Sequence, residues 1–269
     1  MRAVGGFKQV VVALLSAIWL STAVADIPRI AIVIDDLGYL TVNDLDVLSL
    51  DRRIAVAIIP DGPLAPKLAR HAANQQRDIL IHLPLPGIGH DNCEFEANCV
   101  KPGWSPSRMA AHLRWAVDRV DQAVGINNHQ GSLFTSDDEA VRRLVAGIVM
   151  LEHLYGIDLF VLDSRTSPGS RLEKRARNAG LATARRHVFL DHDPTPEAIA
   201  SAWEQLLDQA RRDGFAIAIG HPRRHTIEFL EQAVPELLQE GVELVPVSTL
   251  LHRPEVAGGN DRDLPVTLP

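Results

Sequence analysis

The sequence predicts a single α/β domain, a deformed barrel of about seven parallel strands each followed by a helix, and three observations carry that reading. Short apolar, mostly β-branched runs alternate with amphipathic stretches seven or eight times between Ile30 and Val245, with no shift in composition that would mark a second domain. Six of these runs end in a residue that binds metal or moves protons: Asp35-Asp36, His82, His129, Asp163, Asp191 and His221. In a parallel barrel all strand ends share one face, so these scattered residues converge. The turn after the first run holds two aspartates where an open, doubly wound sheet would carry a glycine-rich phosphate loop, which makes that sheet the lesser alternative.

Residues 1–25 stand outside the fold. Arg2 and Lys8 precede an apolar core, Val10–Leu20, too short to span a bilayer comfortably, and Ala23-Val24-Ala25 has the small-x-small pattern of a cleavage site. A secretory signal peptide cleaved after Ala25 is expected, with a retained N-terminal anchor as the alternative, a periplasmic or secreted product, a domain over 26–252 and a mobile tail over 253–269.

Ile30–Ile34 reads as a strand buried on both faces, closed by Asp35-Asp36-Leu37-Gly38. A helix over Asn43–Leu50 leads to a strand at Ile54–Ile59, stopped by Pro60, and a helix from near Pro63 to Gln75 leads to Ile79–Ile81, with His82 at its exit. Pro84 to Pro106 is an irregular loop long enough to suggest function. Trp104 in it has two readings, stacking on a sugar ring or packing the loop onto the body. Ser105-Pro106 opens a helix to Val120, and Val124–Asn127 is a short strand running into Asn128, His129 and Gly131. Ser136 to Glu139 reads as a capping box for a helix ending near Tyr155, followed by a strand at Leu159–Leu162 and the segment Asp163-Ser164-Arg165. A helix over Arg171–Asn178, short strands at Leu181–Ala184 and Val188–Leu190, a helix from Pro196 to Asp213, a strand at Phe215–Ile219, a helix over Glu228–Gln239 and a strand at Val242–Val245 complete the series.

The net charge of −7, with no basic cluster beyond the N-terminus, argues against a nucleic-acid partner, and no second apolar stretch is long enough to cross a membrane. Oligomeric state is not legible. Cys93 and Cys99 lie six apart in a polar segment; in an oxidising compartment a local disulfide is the expected state, with two free thiols as the alternative.

Among the 11 histidines, His71, His112, His153 and His225 sit within or beside helices, where packed or solvated imidazoles are common. His82, His129 and His221 each follow an apolar strand directly. Together with Asp36 they point to a metal site, since one such histidine is commonplace and three on one face are not.

In order, IDD, LIHLP, GINNHQGS, LDSRTSPGS, VFLDHD and IAIGHP resemble the divergent polysaccharide deacetylases of the NodB-homology carbohydrate esterase superfamily, over about Ile30 to Leu251. The resemblance implies a deformed (β/α) barrel, a divalent metal, most often Zn²⁺, and hydrolysis of N- or O-acetyl groups on a glycan. It matches Asp35 to the catalytic base, Asp36 and His129 to metal ligands and His221 to the group assisting departure. Leu133 stands where the family's second motif has a further histidine, and His82 is the candidate replacement ligand. The family's arginine motif is incomplete, with Arg165 taking part of its role. Gly38 or Gly131 would lend a backbone N–H to the oxyanion, Asp163 or Asp191 would orient a histidine, and Asn127, Asn128, Ser164 and Asp193 would brace loops or meet substrate. The alternative to a deacetylase is a catalytically silent protein of the same fold that binds a glycan or an envelope partner. A phosphoesterase is less consistent with the lack of a basic cluster.

Overall fold

A computed structural model of the protein describes residues 27–39, 41–89, 93, 98–251 and 253. The expected signal peptide, most of the segment between Cys93 and Cys99, and the tail beyond Arg253 lie outside the described residues. Cys93 and Cys99 themselves are joined by a disulfide, with Cα atoms 5.1 Å apart.

Among the described residues nine strands form one sheet: β1 (Arg29–Leu37), β2 (Ala55–Ile58), β3 (Ile79–Leu85), β4 (Gly125–Gln130), β5 (Phe160–Asp163), β6 (Thr183–Arg185), β7 (Val188–Phe189), β8 (Phe215–Gly220) and β9 (Glu243–Leu244). The helices are α1 (Thr41–Ser49), α2 (Ala65–Asn74), α3 (Pro106–Arg119), α4 (Asp138–Tyr155), α5 (Leu172–Asn178), α6 (Pro196–Asp213) and α7 (Arg224–Ala233). The strands run β6-β5-β4-β3-β2-β1-β8-β7, paired in parallel, with β9 beside the first residues of β1. The result is a curled half-barrel, as the alternation of strands and helices predicts.

Two apolar layers hold it. Ile30, Ile32, Ile34, Ile58, Ile81 and Val161 face outward and pack beneath helical residues such as Leu68, Leu113, Leu144 and Leu206. The alternate positions, Ala31, Val33, Ala57, Leu80, Leu162, Ile217 and Ile219, face a separate inner cluster free of α-helical residues, closed by Val247, Leu250 and Leu251 of the C-terminal segment. This period-two sorting decides which strand-end side chains reach the barrel mouth.

Several element boundaries differ from expectation: β1, β3 and β4 run on past Ile34, Ile81 and Asn127, so Asp35, Asp36, His82 and His129 lie within the strands and not just beyond them. Ser136 does not cap α4: the Asp137 carboxylate accepts the N–H groups of Glu139 and Ala140, while the Ser136 hydroxyl donates to the Ser132 carbonyl and lies 3.0 Å from Ser167 Oγ. The last helix begins at Arg224 and stops at Ala233, giving way to a 3₁₀ turn at Val234–Glu236 because Pro235 cannot continue the α-helical bonding.

At the opposite end of the barrel the buried Arg77 guanidinium donates to the carbonyls of Leu48, Leu50, Asp51 and Ile54, tying the end of α1 to the start of β2. Burial lowers its pKa to about 10, a cost that these carbonyls offset. Arg77→Met is expected to remove about 2–4 kcal/mol of stability in denaturant unfolding, because it strands buried carbonyls without partners.

Candidate metal centre and catalytic site

Counting by twos along the inner face leads from Val33 to Asp35, from Leu80 to His82, from Leu162 to Ser164, from Ala184 to Arg186 and from Ile219 to His221. Asp36 is out of phase and in a regular strand would point among the helices. Between Ile34 and Leu37, however, β1 takes three steps while β2 takes two, and Asp36 adopts φ 63°. The bulge brings the second carboxylate round to the site beside the first. A left-handed aspartate costs stability, and such strain is kept where the surrounding structure enforces it.

Three donor atoms meet there. Asp36 Oδ1 lies 3.0 Å from His82 Nε2 and 2.9 Å from His129 Nδ1, and the two nitrogens are 3.1 Å apart. These residues form the described group able to hold a metal ion. The protonation pattern around them is informative. Asn127 Nδ2 donates to Asp35 Oδ1 at 2.8 Å, so its amide oxygen, 2.8 Å from His82 Nδ1, must accept a proton from that nitrogen. His82 Nε2 then faces Asp36 Oδ1, as a donor in the imidazolium and as a neighbouring ligand atom in the neutral ring. In the neutral ring both atoms are acceptors 3.0 Å apart, an arrangement suited to one shared cation. The near-equal spacings also suit ligands about 2.0–2.1 Å from one ion. Burial raises the Asp36 carboxyl, but hydrogen bonds from His129 and His82 outweigh it and hold the group well below the usual carboxylate range.

Asp35 sits behind this triangle, 3.7 Å from His82 Nε2, and burial raises its carboxyl above the ordinary value against the opposing charges of His82 and His221. On the other flank His221 Nε2 lies 3.7 Å from Asp36 Oδ2. Its Nδ1 is 2.8 Å from Asp191, a fully buried carboxylate that also accepts the His221 backbone N–H and the Thr226 hydroxyl, each at 2.8 Å. Burial works to lower the His221 pKa, yet the Asp191 hydrogen bond and the charges of Asp36 and Asp35 raise it overall.

Several residues that the sequence offers as candidates lie elsewhere in the structure. Asp163 accepts from Arg165 N, Ser170 Oγ and Glu173 N, so it anchors the turn into α5 and orients no histidine; that contact belongs to Asp191. Asn128 faces away from the cluster, accepting Ser164 N and donating to the Gln130 carbonyl and Thr166. Asp193 is exposed and accepts Thr195 N ahead of α6. The Gly38 N–H already donates to Asp44, which removes it as an oxyanion donor. Trp104 lies under the Arg108 guanidinium at 4.4 Å with the His112 ring at its edge, and it packs its loop onto α3. Leu133 is 51% exposed in the loop after β4, and the Arg165 side chain is exposed too.

Strand ends alone do not reveal Arg186. Its guanidinium donates to the carbonyls of Ser164 and Arg165 and lies 4.7 Å above the Phe189 ring, which also neighbours the rings of His221 at 5.2 Å and His192 at 5.4 Å. Burial lowers its pKa against the pull of the Asp35 carboxylate. It occupies the inner phase set by Ala184, a signal the sequence carries once that phase is known.

A curled parallel β/α sheet with carboxylates and imidazoles at the C-terminal strand ends defines a NodB-like (β/α) barrel, the fold of a class of carbohydrate esterases. The sequence profile of the family described as "Divergent polysaccharide deacetylase" matches residues 32–251, and the chain belongs to that family. It is 35% identical over 250 residues to the uncharacterized protein YibQ of Escherichia coli K12, covering 93% of this chain and 75% of that one. An uncharacterized protein of Haemophilus influenzae is 35% identical over 228 residues, covering 85% and 78%. Among solved structures, an uncharacterized protein of Agrobacterium tumefaciens C58 superposes with a TM-score of 0.76 at 21% identity, over 85% of this chain and 91% of that one. Among the described residues no helix is long and apolar enough to cross a membrane.

Proposed function

We propose that the protein is a secreted, metal-dependent carbohydrate deacetylase that hydrolyses N- or O-acetyl groups on an envelope or extracellular glycan. The observation that carries this reading is the convergence of Asp36 Oδ1, His82 Nε2 and His129 Nδ1 within 3.1 Å of one another, with Asp35 and His221 flanking them. Asp36, His82 and His129 hold the ion, most suitably Zn²⁺ for two imidazoles and a carboxylate. When bound, that ion supplies Lewis-acid polarisation of the acyl carbonyl and a lowered pKa for the attacking water.

The chain's own residues do the rest. Asp35 takes the proton from the attacking water, and its burial makes the carboxylate a stronger base than an exposed one. Asn127 fixes that carboxylate and the His82 ring through one amide, so base and ligand are positioned together. Arg186 is held by two carbonyls and places its charge toward Asp35. His221 carries its proton on Nδ1 toward Asp191, and in its imidazolium form releases the Nε2 proton to the departing amine or alcohol.

Acetate release from acetylated sugar oligomers tests this directly. Activity is expected to disappear on chelation and to return with Zn²⁺; activity indifferent to chelation contradicts the reading. Asp191→Asn is expected to lower kcat by about 10–100-fold with zinc content unchanged, since it removes the negative charge and one of the two accepting oxygens that His221 Nδ1 and the His221 N–H with Thr226 now use, but no ligand. The silent, glycan-binding alternative draws on Leu133, exposed where the family has a histidine, and glycan binding by the zinc-loaded protein without any acetate release would favour it.

A further inference from the structure

We infer that the barrel mouth holds a carboxylate-binding corner built on Arg186 and Arg165, and that the glycan it takes is an acidic one; this rests on the proposed hydrolase reading. Strand register sets the place. Asn127 pairs with Leu162 and Leu162 with Ala184, so two residues further on His129, Ser164 and Arg186 stand side by side on neighbouring strands, on the inner face. Two hydrogen bonds carry that register past the paired segments: Ser164 N donates to Asn128 Oδ1 and Arg186 N to the Asp163 carbonyl, each at 2.9 Å. At about 4.8 Å per strand, the Arg186 backbone lies roughly 10 Å from that of the ligand His129. On the other flank a chain of ring contacts joins its guanidinium to the cluster: 4.7 Å to Phe189, 5.2 Å from Phe189 to His221, and 3.7 Å from His221 Nε2 to Asp36 Oδ2.

The charge in this corner lacks a counter-charge. Nearby, Arg185 pairs with Glu173, Arg175 with Asp138 and Arg224 with Glu228. The half-buried Arg186 guanidinium has two main-chain carbonyls instead, and among the described residues no carboxylate oxygen lies within 4.0 Å of it. Those bonds use Nε and Nη2 and leave the Nη1 hydrogens without an acceptor. Asp35 and Asp163 act on it from further away, and the charge of the exposed Arg165 side chain works against it. Beside them the Ser164 hydroxyl, on a residue 4% exposed, has no hydrogen-bond partner. Carbonyls fix a guanidinium in position but leave its charge unbalanced, and two like charges sharing one half-buried corner favour an anion between them. A carboxylate is the anion a sugar ring itself can carry, and its two oxygens fit the guanidinium fork.

The test compares an acetylated oligoglucuronate with the same oligomer after its carboxylates are reduced to primary alcohols, the two matched in acetyl content. For the zinc-loaded full-length protein, acetate release from the acidic oligomer is expected to show roughly tenfold higher kcat/KM, the scale of one charge-assisted hydrogen bond at a partly wet site. Arg186→Gln is expected to lower both rates through Asp35, so the ratio is what is read. It is expected to fall several-fold there and in Arg165→Gln, an exposed position where folding is little affected. Equal rates, a preference for the neutral oligomer, or a ratio that survives both substitutions, as when the ion itself takes the carboxylate, would overturn the inference. Binding of the same two oligomers without acetyl groups separates it from the hydrolase reading. Tighter binding of the acidic oligomer, weakened in Arg165→Gln, with no acetate release from either acetylated substrate would keep the corner and sink the hydrolase reading; equal binding would sink the corner.

Discussion

Asp35→Asn is expected to lower kcat/KM for acetate release by about 10³-fold or more, the scale of a lost general base in a site that depends on one. The substitution keeps shape and volume, and the carboxamide oxygen still accepts from Asn127, so His82 stays in place. Zinc content and the thermal midpoint are therefore expected to hold while activity collapses. That combination separates loss of the base from loss of the ion or of the fold, and a variant retaining more than a tenth of native activity would remove Asp35 from the mechanism.

His82→Ala is expected to have a comparably large effect by a different route. It deletes the nitrogen that stands 3.0 Å from Asp36 and 3.1 Å from His129, leaving two donors for the ion. Zinc affinity is expected to fall by more than the ~10–100-fold that a lost hydrogen-bond partner of a ligand costs, and activity with it. High zinc concentrations should restore part of the activity of His82→Ala and none of the activity of Asp35→Asn. Undiminished zinc binding in His82→Ala would show that a different residue completes the donor set.

Much of this site is legible in the sequence because a parallel barrel places every strand exit on one rim, so His82, His129 and His221 need only their position after an apolar run. The phase of each short strand is not legible. Asp163 and Asp191 read alike as acids closing apolar runs, yet Leu162 belongs to the inner layer and Leu190 to the outer one. The next residue therefore turns outward at Asp163 and inward at Asp191. The same phase separates Asn127, which links Asp35 to His82, from its neighbour Asn128, which braces a loop. Arg186 escapes notice because it follows a strand of only three residues. Asp36 is marked by its family match, but its arrival at the site depends on a bulge and a left-handed backbone that strand propensity does not encode.

Calorimetric titration of Zn²⁺ into protein stripped with a chelator and free of tag histidines bears on all of this at once. One ion per chain is expected to bind, with that binding lost in Asp36→Ala and in His82→Ala and retained in Asp35→Asn. Native protein that takes up no stoichiometric zinc or other divalent cation, or that binds it equally well without Asp36 and His82, would contradict the shared metal centre on which the proposed chemistry stands.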